Sequence, residues 1–144
     1  MVDVTSKPEV YREAIAEGKI RLRRETLELI RSSRVEKGDV LTASQIAAIL
    51  AVKRTPDIIP LCHPIPITHI AVDWFYGEDY LGVRVKVKTT AKTGAEMEAL
   101  TGVLIALLNV WDMVKKYEKN EKGEYPNTLI YDVRVIKKFK QEAN

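Results

Sequence analysis

Apolar residues along this chain recur with two different periods. In EGKIRLRR (17–24), Ile20 and Leu22 alternate with Lys19, Arg21 and Arg23, the period-two pattern of a half-buried strand. ETLELIRSS (25–33) sets Leu27 three residues from Ile30 and predicts a short helix. KGD (37–39) predicts a turn. Asp39 is placed to cap a helix through VLTASQIAAILAVKRT, in which Ile46, Ile49, Leu50 and Lys53 fall at helical spacing. Pro56 should end that helix.

Two clear strands follow. Residues 68–76 put Ile70, Val72, Trp74 and Tyr76 on one face. Residues 81–89 put Leu81, Val83, Val85 and Val87 on one face and Arg84, Lys86 and Lys88 on the other. GED between them predicts a hairpin. A long helix is expected from about Gly94 to Lys119, capped by Thr93, with an apolar stripe of Leu100, Val103, Leu104, Leu107, Leu108, Trp111 and Val114. NEKGEYPN (120–127) reads as a loop and TLIYDVRVIKK (128–138) as a last strand. Strand, helices, strand, strand, helix, strand is the split βαβ order. It predicts an α+β, ferredoxin-like fold: an antiparallel sheet with helices on one face. The other sheet face is then solvated or covered by another subunit.

Composition narrows the class. A chain of 144 residues, 46% hydrophobic and 30% charged, suits one globular domain spanning 1–144. The formal net charge of +3 fits an anionic ligand without requiring nucleic acid, and no RNA-stacking motif is present. One cysteine excludes an intrachain disulfide and suits a reducing compartment. The start MVDVTSKPEV has no apolar signal region, and pure apolar runs such as VLIALL (103–108) are too short to span a bilayer. A cytoplasmic protein without a membrane or nucleic-acid partner is expected.

The candidate chemistry starts at PLCHPIPIT (60–68), which holds the only cysteine and three of the six prolines. A metal site, a nucleophile and a rigid pocket wall are the readings it allows. A structural zinc site wants four ligands, and the chain offers one Cys and two His. A Cys–His nucleophile needs side chains in contact, whereas neighbours in extended chain diverge. A buried Cys and a hydrogen-bonded His in a tight turn is the plainer alternative. On the long helix, Asp112 and Lys115 are three residues apart and so are neighbours. Lys115 falls on the margin of the apolar stripe. Partial desolvation there weakens its proton affinity and the adjacent carboxylate restores some of it; such a pair can exchange protons or be an ordinary helix salt bridge. Glu96 and Glu98 lie in the first helical turn, where they complement the helix dipole. KTGAEM lacks the P-loop spacing.

KGDVLTASQIAAILAVKRTPDIIPLCHPIPIT, KTGAEMEALTGVLIALL and WDMVKK, together with MVDVTSK and RRETLELI, resemble the molybdenum cofactor biosynthesis protein C (MoaC) family of cyclic pyranopterin monophosphate synthases. The resemblance runs from Met1 to about Lys138. It implies a ferredoxin-like hexamer, a trimer of dimers, that turns a 3′,8-cyclo-7,8-dihydro-GTP into cyclic pyranopterin monophosphate and diphosphate. Carried over by motif, it implies Asp112 and Lys115 as catalytic residues. Leu61, Cys62, His63, Glu96, Met97, Glu98, Lys37 and Lys138 are implied as substrate-binding residues. Lys116 is a further cation available to the triphosphate. This chain departs from the family pattern at Val114, where many members have Cys, and in KFKQEAN, where many have a Gly-Ser-rich loop.

The implied reaction moves protons without a redox change, so no redox cofactor is expected; no metal site is expected either, because the Cys–His run lacks the ligands of a zinc site. Glu98 and Asp112 are fourteen residues apart on one helix, about 21 Å along its axis. A single small ligand touching both therefore requires ends from different subunits, with the proline-rich run as a stiff wall at the boundary. The rival readings are a non-enzymatic nucleotide- or pterin-binding module and a nucleic-acid module using Arg84, Lys86 and Lys88.

Overall fold

The computed structural model describes residues 1–141; the last three residues of the KFKQEAN tail lie outside them. The elements are β1 (Val10–Arg21), α1 (Arg24–Arg31), α2 (Val40–Lys53), the single turn α3 (Thr55–Ile58), β2 (His69–Tyr76), β3 (Tyr80–Ala91), α4 (Glu96–Glu118) and β4 (Leu129–Lys140). The sheet order is β2-β3-β1-β4, and each neighbouring pair is antiparallel. This is the ferredoxin-like α+β arrangement expected from the order of elements.

The core lies between this sheet and the helices. Leu81, Val83, Val85 and Val87 of β3 are all fully buried. Full burial of each such side chain stabilises the fold by roughly 1.5–3 kcal/mol, so this strand is a main anchor of the sheet. On the opposite face, Glu17 meets Arg84 at 2.9 Å, Glu13 meets Lys86 at 3.7 Å and Lys88 at 4.0 Å, and Lys19 meets Asp132 at 3.2 Å. Partly exposed pairs of this kind on a solvent-facing sheet surface add only modest stability. They do neutralise the cations on which a nucleic-acid reading would rest.

β1 starts seven residues earlier than the alternation at 17–24 indicates. Its inward positions in that part are Val10, Arg12, Ala14 and Ala16, and small or charged residues carry little hydrophobic signal. The buried Arg12 is satisfied by the carbonyls of Ala91 and Lys92, each at 3.2 Å. β4 bulges against β1, with Asp132 at φ 54°, a conformation Asp tolerates better than most residues.

The helix caps divide in the same way. Asp39 caps α2 as expected, accepting from the Thr42 amide at 3.1 Å. Thr93 does not cap α4, which starts after Ala95 with no side-chain cap. α1 also lacks a local cap. Its acceptor is the buried Glu118 carboxylate at the far end of α4, which receives the Arg23 amide at 3.1 Å and the hydroxyls of Thr26 and Thr128. α2 ends at Lys53, and Pro56 sits in the first turn of α3, where a missing N–H costs nothing.

The inward face of α4 is rotated from the expected stripe. Ala99, Gly102, Val103, Ala106, Leu107, Val110 and Val114 point inward, while Leu104 and Leu108 are 45% and 55% exposed. α2 repeats the pattern: Ser44, Ala48, Ala51 and Val52 are buried, and Ile46 and Leu50 are exposed. Close approach is the reason. A Cβ at Gly102 would lie 2.9 Å from Val52 Cγ2, and one at Gly18 would lie 2.7 Å from Val103 Cγ1. Small residues let the helices sit down on the sheet and on each other, and the large side chains are left outside. α4 is long and apolar enough to cross a bilayer by length and composition, yet here it packs along the sheet with about half of that stretch buried.

Candidate active site

Two polar clusters form at opposite ends of α4. At the C-terminal end, Lys115 Nζ donates to Asp112 Oδ1 at 3.0 Å, as their helical spacing requires. Lys37 arrives from the turn between α1 and α2 and donates to Asp112 Oδ2 and to the Asp112 carbonyl, both at 3.1 Å. Lys115, then Lys37, hold the Asp112 carboxyl below the usual aspartate range. Asp112 in turn holds the Lys115 ammonium above the usual lysine value. The expected weakening of Lys115 by desolvation is therefore outweighed by its partner. Lys116 is paired with Glu36, and the Tyr117 hydroxyl accepts from the Glu36 amide at 2.9 Å. This arrangement can hold a carboxylate and several ammonium groups around one anionic ligand.

At the N-terminal end, Cys62 and Glu98 meet. The Cys62 thiol is 3.7 Å from Glu98 Oε2. Burial, then the Glu98 charge, push the thiol up from its ordinary value, so it stays protonated. Glu98 is 1% exposed; burial raises its carboxyl, and among the described residues Oε1 has no hydrogen-bond partner. His63 turns elsewhere, its Nε2 lying 2.6 Å from the Val2 carbonyl oxygen. Glu96 is also partly buried, but the Lys138 ammonium at 2.6 Å overrides that cost and keeps its carboxyl low. Leu61, Cys62, His63, Glu96 and Met97 line a cavity of about 460 Å³ with Val2, Lys7 and Thr93. Leu61 and Met97 are largely exposed at its rim.

The chain thus brings Asp112, Lys115, Lys37 and Lys116 to one place, and Leu61, Cys62, His63, Glu96, Met97, Glu98 and Lys138 to another. α4 is one continuous helix, so the two places stay about 21 Å apart within a subunit. A larger concavity of about 720 Å³ lies between α1 and the β2–β3 turn. Its Arg24, Arg31 and Arg34 are matched by Glu25, Glu28 and Glu78, so size alone does not make it the reactive site. Among the described residues, no three His, Cys, Asp or Glu side chains are grouped to hold a metal ion.

Sequence reasoning missed Tyr117, Glu36, Arg12 and Val2. Tyr117 is five residues beyond Asp112, a spacing that gives no neighbour on a helix, and Glu36 meets α4 only through the tertiary fold. The arm that carries Val2 had a signal in MVDVTSK.

A ferredoxin-like α+β protein with a carboxylate between two ammonium groups at one end of its long helix, and a buried acid beside a thiol at the other, is the class that these features define. The MoaC family model matches residues 1–140, and the chain belongs to the MoaC family. It is 58% identical over 144 residues to a Pyrococcus furiosus protein named "Probable cyclic pyranopterin monophosphate synthase", covering all of this chain and 92% of that one. A Methanosarcina mazei protein of the same name is 56% identical over 99% of this chain and 91% of its own length. A Methanothermobacter thermautotrophicus protein named "Probable cyclic pyranopterin monophosphate synthase accessory protein" is 57% identical over 99% of this chain and 89% of its own.

Proposed function

We propose that this chain is a lyase of molybdenum cofactor biosynthesis, a cyclic pyranopterin monophosphate synthase. It converts (8S)-3′,8-cyclo-7,8-dihydroguanosine 5′-triphosphate into cyclic pyranopterin monophosphate and diphosphate. The observation that carries this reading is the D-M-x-K segment of a whole-chain family match, folded so that Asp112 lies between Lys115 and Lys37. The reaction rearranges a purine-derived ring and closes a cyclic phosphate as diphosphate leaves. Protons must move repeatedly, and negative charge must be held throughout. Asp112 and Lys115 are the proton-transfer pair, and Lys37 and Lys116 bind phosphate oxygens. Cys62, His63, Glu96, Glu98 and Lys138 hold the remainder of the substrate against the wall formed by Leu61 and Met97.

These two groups of residues complete one site only if they come from different subunits. We place the chain in a homohexamer, a trimer of dimers, with sites at subunit boundaries and in the cytoplasm. The exposed apolar row of Ile46, Leu50, Met97, Leu104 and Leu108 on the helix layer supports a subunit contact. The direct test is incubation of the purified protein with the cyclised GTP intermediate. Stoichiometric diphosphate and an oxidisable pterin are expected; neither would appear if the chain only binds the nucleotide.

A further inference from the structure

We infer that Tyr117 is the positioning residue that holds Lys37 against Asp112. This rests on the reading of Lys37 and Asp112 as site groups. The Lys37 turn has one closing backbone bond of its own, from the Gly38 amide to the Val35 carbonyl at 3.1 Å, which leaves the Lys37 side chain to be placed by its contacts with α4. It runs between the buried Val35 and Val40, and it contains Gly38 at φ 117°, a conformation that L side chains rarely adopt. The Lys37–Asp112 pair is about half exposed on both sides, and the neighbouring Lys116–Glu36 pair is more exposed still. Both pairs are screened by salt and hold a long side chain only weakly.

The bond from the Glu36 amide to the Tyr117 hydroxyl differs in kind. It fixes backbone rather than side chain, one residue before Lys37, at 2.9 Å. Neither partner is charged. Its acceptor is the tip of a ring packed against the core and carried on the same helix as Asp112. The rigid spacing along α4 is thereby passed to the turn, and Lys37 reaches both the carboxylate and the carbonyl of Asp112.

The experiment is a double-mutant cycle between Tyr117→Phe and Lys37→Ala, with melting temperature recorded to show that each variant folds. The Asp112 carboxyl is titrated by NMR in all four proteins. The charged groups facing it are Lys37 from the turn and Lys115 from its own helix, with the Lys116–Glu36 pair beside them. Tyr117→Phe should move the Asp112 midpoint upward, as Lys37→Ala does, and should add nothing once Lys37 is gone. In turnover, Tyr117→Phe should lower kcat/KM about tenfold in the native background, the order of one hydrogen bond. In the Lys37→Ala background the loss should be under about twofold. An unchanged Asp112 midpoint in Tyr117→Phe, or an equal loss in both backgrounds, overturns the assignment. The titration is read in the same way whether or not Lys37→Ala turns over, so failure of the functional reading and failure of this one are distinct.

Discussion

Lys115 lies three residues beyond Asp112 on α4, and its ammonium reaches the Asp112 carboxylate at 3.0 Å. The contact keeps both groups charged through the neutral range, with the aspartate lowered and the lysine raised. Asp112→Asn and Lys115→Ala are each predicted to slow diphosphate release from the cyclised GTP intermediate at least ~100-fold, the span of a lost general acid or base. Melting temperatures should move little, because both side chains are about half exposed and such pairs add little stability. Near-normal release by either variant removes that residue from the mechanism.

Cys62 should bind or pack rather than attack. Its thiol is kept protonated by burial and by Glu98, and a protonated thiol is a poor nucleophile. Cys62→Ser is predicted to stay within about tenfold of native turnover, since the hydroxyl can still donate to Glu98. Mass spectrometry of the working enzyme should show no adduct; a covalent species on Cys62 would overturn the prediction.

Glu98 gives stability a pH dependence of definite sign. Its carboxyl is raised by burial, so the folded state favours the protonated form. Its contribution is present below the unfolded-state value and is lost as pH rises through the folded one. Glu98→Gln, which cannot ionise, should therefore melt higher than the native protein near neutral pH. The gap should close as pH falls below the ordinary glutamate range. A gap that widens on acidification would mean that the ionised form is the favoured one.

If sites combine residues of different chains, two inactive variants should restore each other. Glu98→Ala and Asp112→Ala subunits, dissociated and reassembled together, are expected to show activity absent from either parent, because some sites then contain both residues. Verified mixed oligomers without activity would mean that one chain supplies both ends, or that Glu98 acts only as a charge at the helix start.

β3 was legible because its inward positions are Leu81, Val83, Val85 and Val87, large and strictly alternating. The first half of β1 was not, because Arg12, Ala14 and Ala16 occupy the same kind of position. The existence of α4 was legible and its orientation was not. Leu104 and Leu108 carry most of the hydrophobic signal but face outward, while Ala99, Gly102 and Ala106 carry little and face the sheet. The Asp112–Lys115 pair followed from helical spacing alone. Lys37 joins them across 75 positions of chain, a distance no local pattern spans, and only the resemblance to a family pointed to it.

Glu118 has a consequence for the order of folding. α1 has eight residues, too few to persist alone in water, and the carboxylate that closes its first turn arrives from 95 positions further along. The same carboxylate holds Thr128 at the entrance to β4. α1 should therefore stay unformed until the end of α4 is in place, and should add nothing to the folding transition state. Leu27→Ala is expected to accelerate unfolding and leave the refolding rate nearly unchanged. A strongly slowed refolding limb would show instead that α1 belongs to the nucleus, and that Glu118 is met by a helix already made.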